Sequence, residues 1–121
     1  MAKNKTLVLG ASDNPSRYSY LAVQRLLSHG HAVEAVGKRP GMVNGVAIQT
    51  GEPPVQDIDT VTLYLNPEHQ KNFYQYILSL QPRRIIFNPG AENDELAELA
   101  TKAGIEPVEA CTLVMLSTNQ Y

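Results

Sequence analysis

Only one cysteine and no tryptophan occur among the 121 residues. A lone Cys111 excludes an intrachain disulfide and a cysteine-rich zinc site, so the core has to hold the chain together. Excess charge is scarce too. The formal net charge is −2, which excludes the broad basic face of a general nucleic-acid binder. Any anion site must therefore be local. Long apolar runs are missing. The opening Met-Ala-Lys-Asn-Lys-Thr precedes only a brief one, too short for a signal-peptide core or a membrane span. The expectation is a cytoplasmic protein with no membrane and no nucleic-acid partner. Repeats, low-complexity segments and linkers are absent as well, which points to a single domain over residues 1–121. The hydrophobic fraction of 43% is that of a globular chain.

Apolar periodicity divides the chain into alternating strands and helices. Lys5–Leu9 reads as a first strand and Tyr18–Ser28 as a helix, with Leu21, Ala22, Leu26 and Leu27 on one face and Gly30 ending it. Ala32–Val36 is a second strand. Residues 37–59 form a loop-rich stretch with room for a short strand at Val46–Gln49. A third strand covers 60–65. Asn66-Pro67-Glu68 then supplies an N-cap, a proline at the first helical position and an acid in the first turn. That helix carries Phe73, Ile77 and Leu80 on one face and stops at Pro82. Arg84–Phe87 is a fourth strand. Asn93-Asp94-Glu95 caps a third helix, with Leu96, Leu99, Ala100 and Ala103 inward, and 106–108 is a fifth strand. Residues 111–121 are left unplaced. The alternation implies right-handed crossovers and an α/β, Rossmann-like three-layer sandwich around a five-stranded, mostly parallel sheet.

Ligands of such sheets sit at the carboxyl ends of the strands, here the loops at 10–18, 37–41, 66–69 and 88–92. The first begins Gly10-Ala11-Ser12. A strand, a small-residue turn and a helix make an anion cradle, because the helix N-terminus presents free N–H groups and partial positive charge. Ser12 offers a hydroxyl and an N–H, and Asn14 and Ser16 add polar groups. The second glycine of a full G-x-G-x-x-G fingerprint is missing, and the segment reads equally as a plain turn.

After the second strand the acid that would bind an NAD ribose is also missing. Lys38-Arg39 stand there instead, a pair suited to an extra ribose phosphate as in coenzyme A or NADP, or to a solvated turn. Tyr18 or Tyr20 would line an adenine or pantetheine pocket, or pack on the loop. Asn66-Pro67 and Asn88-Pro89-Gly90 bring backbone toward a ligand. Catalytic constellations are sparse. His29 and His31 fall at structural positions, His69 lies on the ligand side, and Cys111 reads as a buried, inert thiol. Ser12 has no histidine–acid pair near it in sequence, and no metal-ligand spacing occurs.

Three stretches now carry a resemblance. They are Gly10-Ala11-Ser12-Asp13-Asn14-Pro15-Ser16-Arg17-Tyr18-Ser19-Tyr20, then Leu26-Leu27-Ser28-His29-Gly30-His31-Ala32-Val33, and Pro89-Gly90-Ala91-Glu92-Asn93-Asp94-Glu95. With the turn Ala103-Gly104-Ile105 that leads to Cys111, they make the chain similar to the small stand-alone CoA-binding proteins. Those in turn resemble the CoA-binding domain of the succinyl-CoA synthetase α-subunit. The resemblance implies a first turn on the CoA pyrophosphate and a second loop at the nucleotide end. It places the pantetheine arm on the loops after the third and fourth strands. Carried over, the residues are Gly10, Ala11, Ser12, Arg17, Lys38, Tyr64, Asn66, Pro67, Asn88, Pro89 and Gly90, to which the residue reading adds Asn14, Tyr18 and Arg39.

Relatives often have Asn-Pro where this chain has Gly37-Lys38, an aromatic and glutamine where it has Phe87-Asn88, and Asp-Arg where it has Glu109-Ala110. Synthetase chemistry also needs a phosphorylated histidine on another domain and an ATP-binding partner subunit. The expectation is a non-catalytic CoA or acyl-CoA binding module, a sensor or a subunit. An NADP-binding oxidoreductase or redox sensor is the alternative. A protein partner stays open and unidentified.

Overall fold

The computed structural model describes residues 4–121; the first three residues of the stretch weighed above as a leader lie outside it. Seven strands form one sheet: β1 (Lys5–Leu9), β2 (Ala32–Val36), β3 (Gly41–Val43), β4 (Val46–Gln49), β5 (Ile58–Leu63), β6 (Arg84–Phe87) and β7 (Glu106–Glu109). Their order is β3-β4-β2-β1-β5-β6-β7, and every neighbouring pair is parallel except β3 with β4.

The five-stranded sheet is thus corrected to seven. The additions are a hairpin inside the stretch expected to be mostly loop. Val43 pairs with Val46 across Asn44 and Gly45, whose φ angles are 47° and 86°. A two-residue turn with both central residues left-handed matches the twist of a hairpin, and Asn-Gly is the sequence that favours it. The hairpin lets β4 lie parallel to β2 without a crossover helix.

Among the described residues five α-helices pack on the sheet: α1 (Tyr18–Ser28), α2 (Pro67–Gln70), α3 (Tyr74–Leu80), α4 (Asp94–Lys102) and α5 (Thr112–Ser117). Alternation along β1 decides which residues face which layer. Leu7 and Leu9 join Val61, Leu63, Ile85 and Phe87 under α3 and α4, whose Ile77 and Leu96 are fully buried. Val8 points the other way, with Ala35 and Ile48, toward Val23 and Leu26 of α1 and Leu116 of α5. The tail that sequence left unplaced therefore forms a helix because Leu116 has an apolar seat beside α1. No helix of the described residues is long and apolar enough to cross a membrane.

Two further boundaries moved. β5 begins two residues before the expected third strand, since a register shift between Lys5 and Thr6 lets buried Ile58 pair with Lys5. Tyr64 and Leu65 are thereby released past the strand end. The expected single helix from Pro67 is broken by a 3-10 turn at Lys71–Phe73. Asn66 caps α2 through the His69 N–H, and burial of Tyr76 and Ile77 orients α3; the tighter turn joins the two directions. Ala103, expected inward, is exposed at the end of α4.

Candidate functional site

The chain runs from β1 to β2 on one side and returns to β5 on the other, so the strand order reverses between β1 and β5. A crevice opens at the carboxyl end of a sheet where this happens. Two glycines bring its walls together. Gly10 has φ +97°, and a Cβ there would lie 2.9 Å from the Tyr64 carbonyl carbon. At Gly37 a Cβ would fall 2.2 Å from the Ala11 carbonyl oxygen. The N–H groups of Gly10 and Ala11 both donate to the Val36 carbonyl, at 2.8 and 2.9 Å. The loops after β1, β2 and β5 are therefore in contact before any ligand is considered.

Above them lies a cleft of about 790 Å³, within the usual size range of small-molecule sites. Of the residues named from sequence, it is lined by Gly10, Ala11, Ser12, Asn14, Arg17, Tyr18, Lys38, Arg39, Tyr64, Asn66, Pro89 and Gly90. Four chain segments far apart in sequence thus meet. Pro67 and Asn88 do not line it. Pro67 is occupied as the first residue of α2. Asn88 is 2% exposed, and its side chain is engaged by structural bonds: Nδ2 donates to Thr62 Oγ1 and the Leu63 carbonyl, and Oδ1 accepts from the Thr112 N–H. It tethers α5 to the sheet. Asp13, Ser19, Pro40, Leu65, His69 and Ala91 also line the cleft. Sequence had placed His69 on this side, while Leu65 was hidden by the misplaced end of β5.

The first loop is folded on itself. Ser12 Oγ accepts from the Asn14 N–H at 3.1 Å, and Asn14 Oδ1 accepts from the N–H and hydroxyl of Ser16 at 3.0 and 2.8 Å. Arg17 occupies the N-cap position of α1 but gives no side-chain cap, and no acid lies in the first turn. The positive end of an 11-residue helix is therefore left without a protein anion. Three cations line the same cleft. Among the described residues the ion pairs join Lys5, Lys71, Arg83 and Lys102 to acids; Arg17, Lys38 and Arg39 make none. Among the described residues Asp13 is the only acid in the lining. Tyr18, 72% exposed, stands on the same wall, while Tyr20 packs into the core instead.

A second, apolar pocket of about 190 Å³ adjoins the cleft, sharing Gly10, Lys38, Leu65 and His69 with it. Leu9, Val36 and Phe73 supply its apolar walls, and Asn72 is also present. Burial pushes the Tyr64 phenol well above its usual range. Cys111 is half-buried at the start of α5 and lines neither pocket. No group of three or more metal-ligating side chains occurs among the described residues.

Comparison with known proteins agrees with this geometry. The sequence matches the family described as CoA binding domain over residues 4–117. A crystal structure of a protein described only as uncharacterized is 53% identical, each chain covering all of the other, with a TM-score of 0.95. A hypothetical protein from Pyrococcus horikoshii OT3 is 22% identical with a TM-score of 0.86, over 96% of this chain and 83% of that one. An acetyl-coenzyme A synthetase from Ca. Korarchaeum cryptofilum shares the fold at 16% identity and a TM-score of 0.73, over 90% of this chain and 26% of the larger one. No curated protein matches. With nearly its whole length covered by the family, the chain belongs to the CoA binding domain family.

Proposed function

We propose that the protein is a non-catalytic module that binds coenzyme A or an acyl-CoA in the cleft at the β1–β5 switch point. One observation carries the reading beyond family membership. Three cations without protein partners share a cleft with an uncapped helix N-terminus, an arrangement that favours a polyanion. In this reading the pyrophosphate lies on Gly10, Ala11, Ser12 and Arg17 at α1. The 3′-phosphate meets Lys38 and Arg39 on the loop after β2. The pantetheine arm follows Asn66, Pro89 and Gly90.

The lining supports binding more than chemistry. Ser12 Oγ already accepts a backbone N–H, and the His69 ring has no hydrogen-bond partner among the described residues to orient it as a base. NADP is the second reading, because Lys38 and Arg39 suit a 2′-phosphate equally well. It would make the module part of an oxidoreductase or a redox sensor.

Thermal shift with CoA, acetyl-CoA, dephospho-CoA, NAD and NADP separates these readings. A ligand at about 100 times its Kd adds roughly 2.7 kcal/mol, which raises Tm by on the order of 10 °C for a domain of this size. A shift with CoA that shrinks with dephospho-CoA is the expected result. A shift with NADP alone would replace the first reading by the second, and no shift with any of them would overturn both.

A further inference from the structure

The residue that ties the far half of the cleft together lines neither pocket. Gln70 ends α2 and is fully buried, 0% exposed. Its Nε2 donates to the Leu65 carbonyl and to the Ala91 carbonyl, both at 2.8 Å. Its Oε1 accepts from Asn93 Nδ2 at 2.9 Å. Leu65 lies in the loop after β5 and Ala91 in the loop after β6, and both line the cleft. Asn93 extends the tie, donating also to the Tyr74 hydroxyl at 2.9 Å and capping α4 through the Leu96 N–H at 3.2 Å. A buried amide with both donors and its oxygen engaged holds its neighbours rigidly, since either carbonyl left unpaired there would be destabilising.

We propose that Gln70 is a positioning residue of the ligand site. It sets the spacing between the loop at 65–66 and the loop at 89–91, and so the seat of the pantetheine arm. The inference rests on the CoA reading given above. In that reading the phosphates of the nucleotide end lie on the loops after β1 and β2 and at the start of α1, and no side-chain bond of Gln70 reaches those elements. Misplacing two loops by a fraction of a bond length weakens the part of a ligand that spans them and spares the rest.

Calorimetric titration of the whole chain tests this, with CoA and with adenosine 3′,5′-bisphosphate, which has the nucleotide end without the arm. Gln70→Met keeps the approximate length of the side chain and removes both donors. Its affinity for CoA is expected to fall about tenfold more than its affinity for the bisphosphate, a difference of about 1.4 kcal/mol. Equal losses for both ligands, as a general loosening of the fold would produce, or no loss for either, overturn the proposal.

If Gln70→Met does not fold, Asn93→Ser decides. Serine still caps α4 but lacks the amide that holds Gln70 Oε1, and the same split at smaller size is expected. Failure of that split overturns the role. Wild-type protein that ignores CoA would remove the ligand reading and the role with it. Wild-type binding with both variants unaffected would remove the role alone.

Discussion

The two ends of the sheet carry similar charges and treat them in opposite ways. At the amino end, Lys5 meets Glu34 at 3.3 Å and Arg83 meets Asp59 through two bonds at 2.9 and 3.1 Å. Arg84, only 7% exposed, donates to Thr60 Oγ1 at 3.0 Å. Its guanidinium lies 4.6 Å from the ring centroid of Tyr121, whose hydroxyl is bonded to Thr6. At the carboxyl end, Arg17, Lys38 and Arg39 line the cleft at the start of α1, make no ion pair and share the lining with one acid, Asp13. Charge that is matched inside the chain supports the fold. Unmatched charge beside a helix N-terminus stabilises little until an anion arrives, and it sets the potential that attracts one.

Removing Arg84 breaks the comparison most severely. Arg84→Ala removes a donor to Thr60 and the cation over the Tyr121 ring and opens a buried space. It is expected to destabilise the protein by about 2–4 kcal/mol in denaturant titration while leaving CoA affinity unchanged. The reverse pattern is expected at the other end. Lys38→Ala combined with Arg39→Ala should change stability by no more than about 0.5 kcal/mol, because both side chains are exposed and unpaired. CoA affinity should fall by at least about tenfold, as removal of charge-assisted phosphate bonds does. Dephospho-CoA should be much less affected. A large stability change in the double variant, or equal losses for the two ligands, would erase the contrast.

The smallest effect concerns pH and sharpens the comparison. His31 packs edge-on against the Tyr121 ring at 4.8 Å between centroids. Burial lowers its pKa from 6.5, and the charges of His29 and Arg84 lower it further against a contribution from Asp59. The folded state therefore binds the proton less readily than the unfolded chain. This stability is present above pH 6.5 and declines as pH falls from there through the lowered folded value. Tm of the wild type should drop over that window. His31→Phe should flatten the drop, leaving whatever part comes from other groups.

Much of this division was legible beforehand. The strand–turn–helix at Leu9-Gly10-Ala11-Ser12, the absence of an acid after β2 and the cation pair in its place are local facts, and they point to Gly10, Ala11, Ser12, Lys38 and Arg39 of the cleft lining, whereas Arg17 and Tyr64 came only through the resemblance. The Asn66 and Asn93 caps were equally local, and their side chains accept from the His69 and Leu96 N–H groups as expected. The hairpin at Val43-Asn44-Gly45-Val46 is equally local in its Asn-Gly turn, but the glycines and prolines around it carry the composition of a loop. Asn88 was named for its motif, yet its amide is consumed by Thr62, Leu63 and Thr112, partners that lie 24 to 26 residues away.

The sequence by itself determined the alternation of elements, the helix caps and the residue types at the strand ends. Each of these follows from periodicity or from chemistry within a few residues. Only the tertiary structure decided which strand ends meet, that Tyr64 approaches Gly10 and Ala11 approaches Gly37, and that Gln70 joins two loops 26 residues apart in the chain. Such contacts depend on strand order and on the register of the sheet, and no local pattern encodes either.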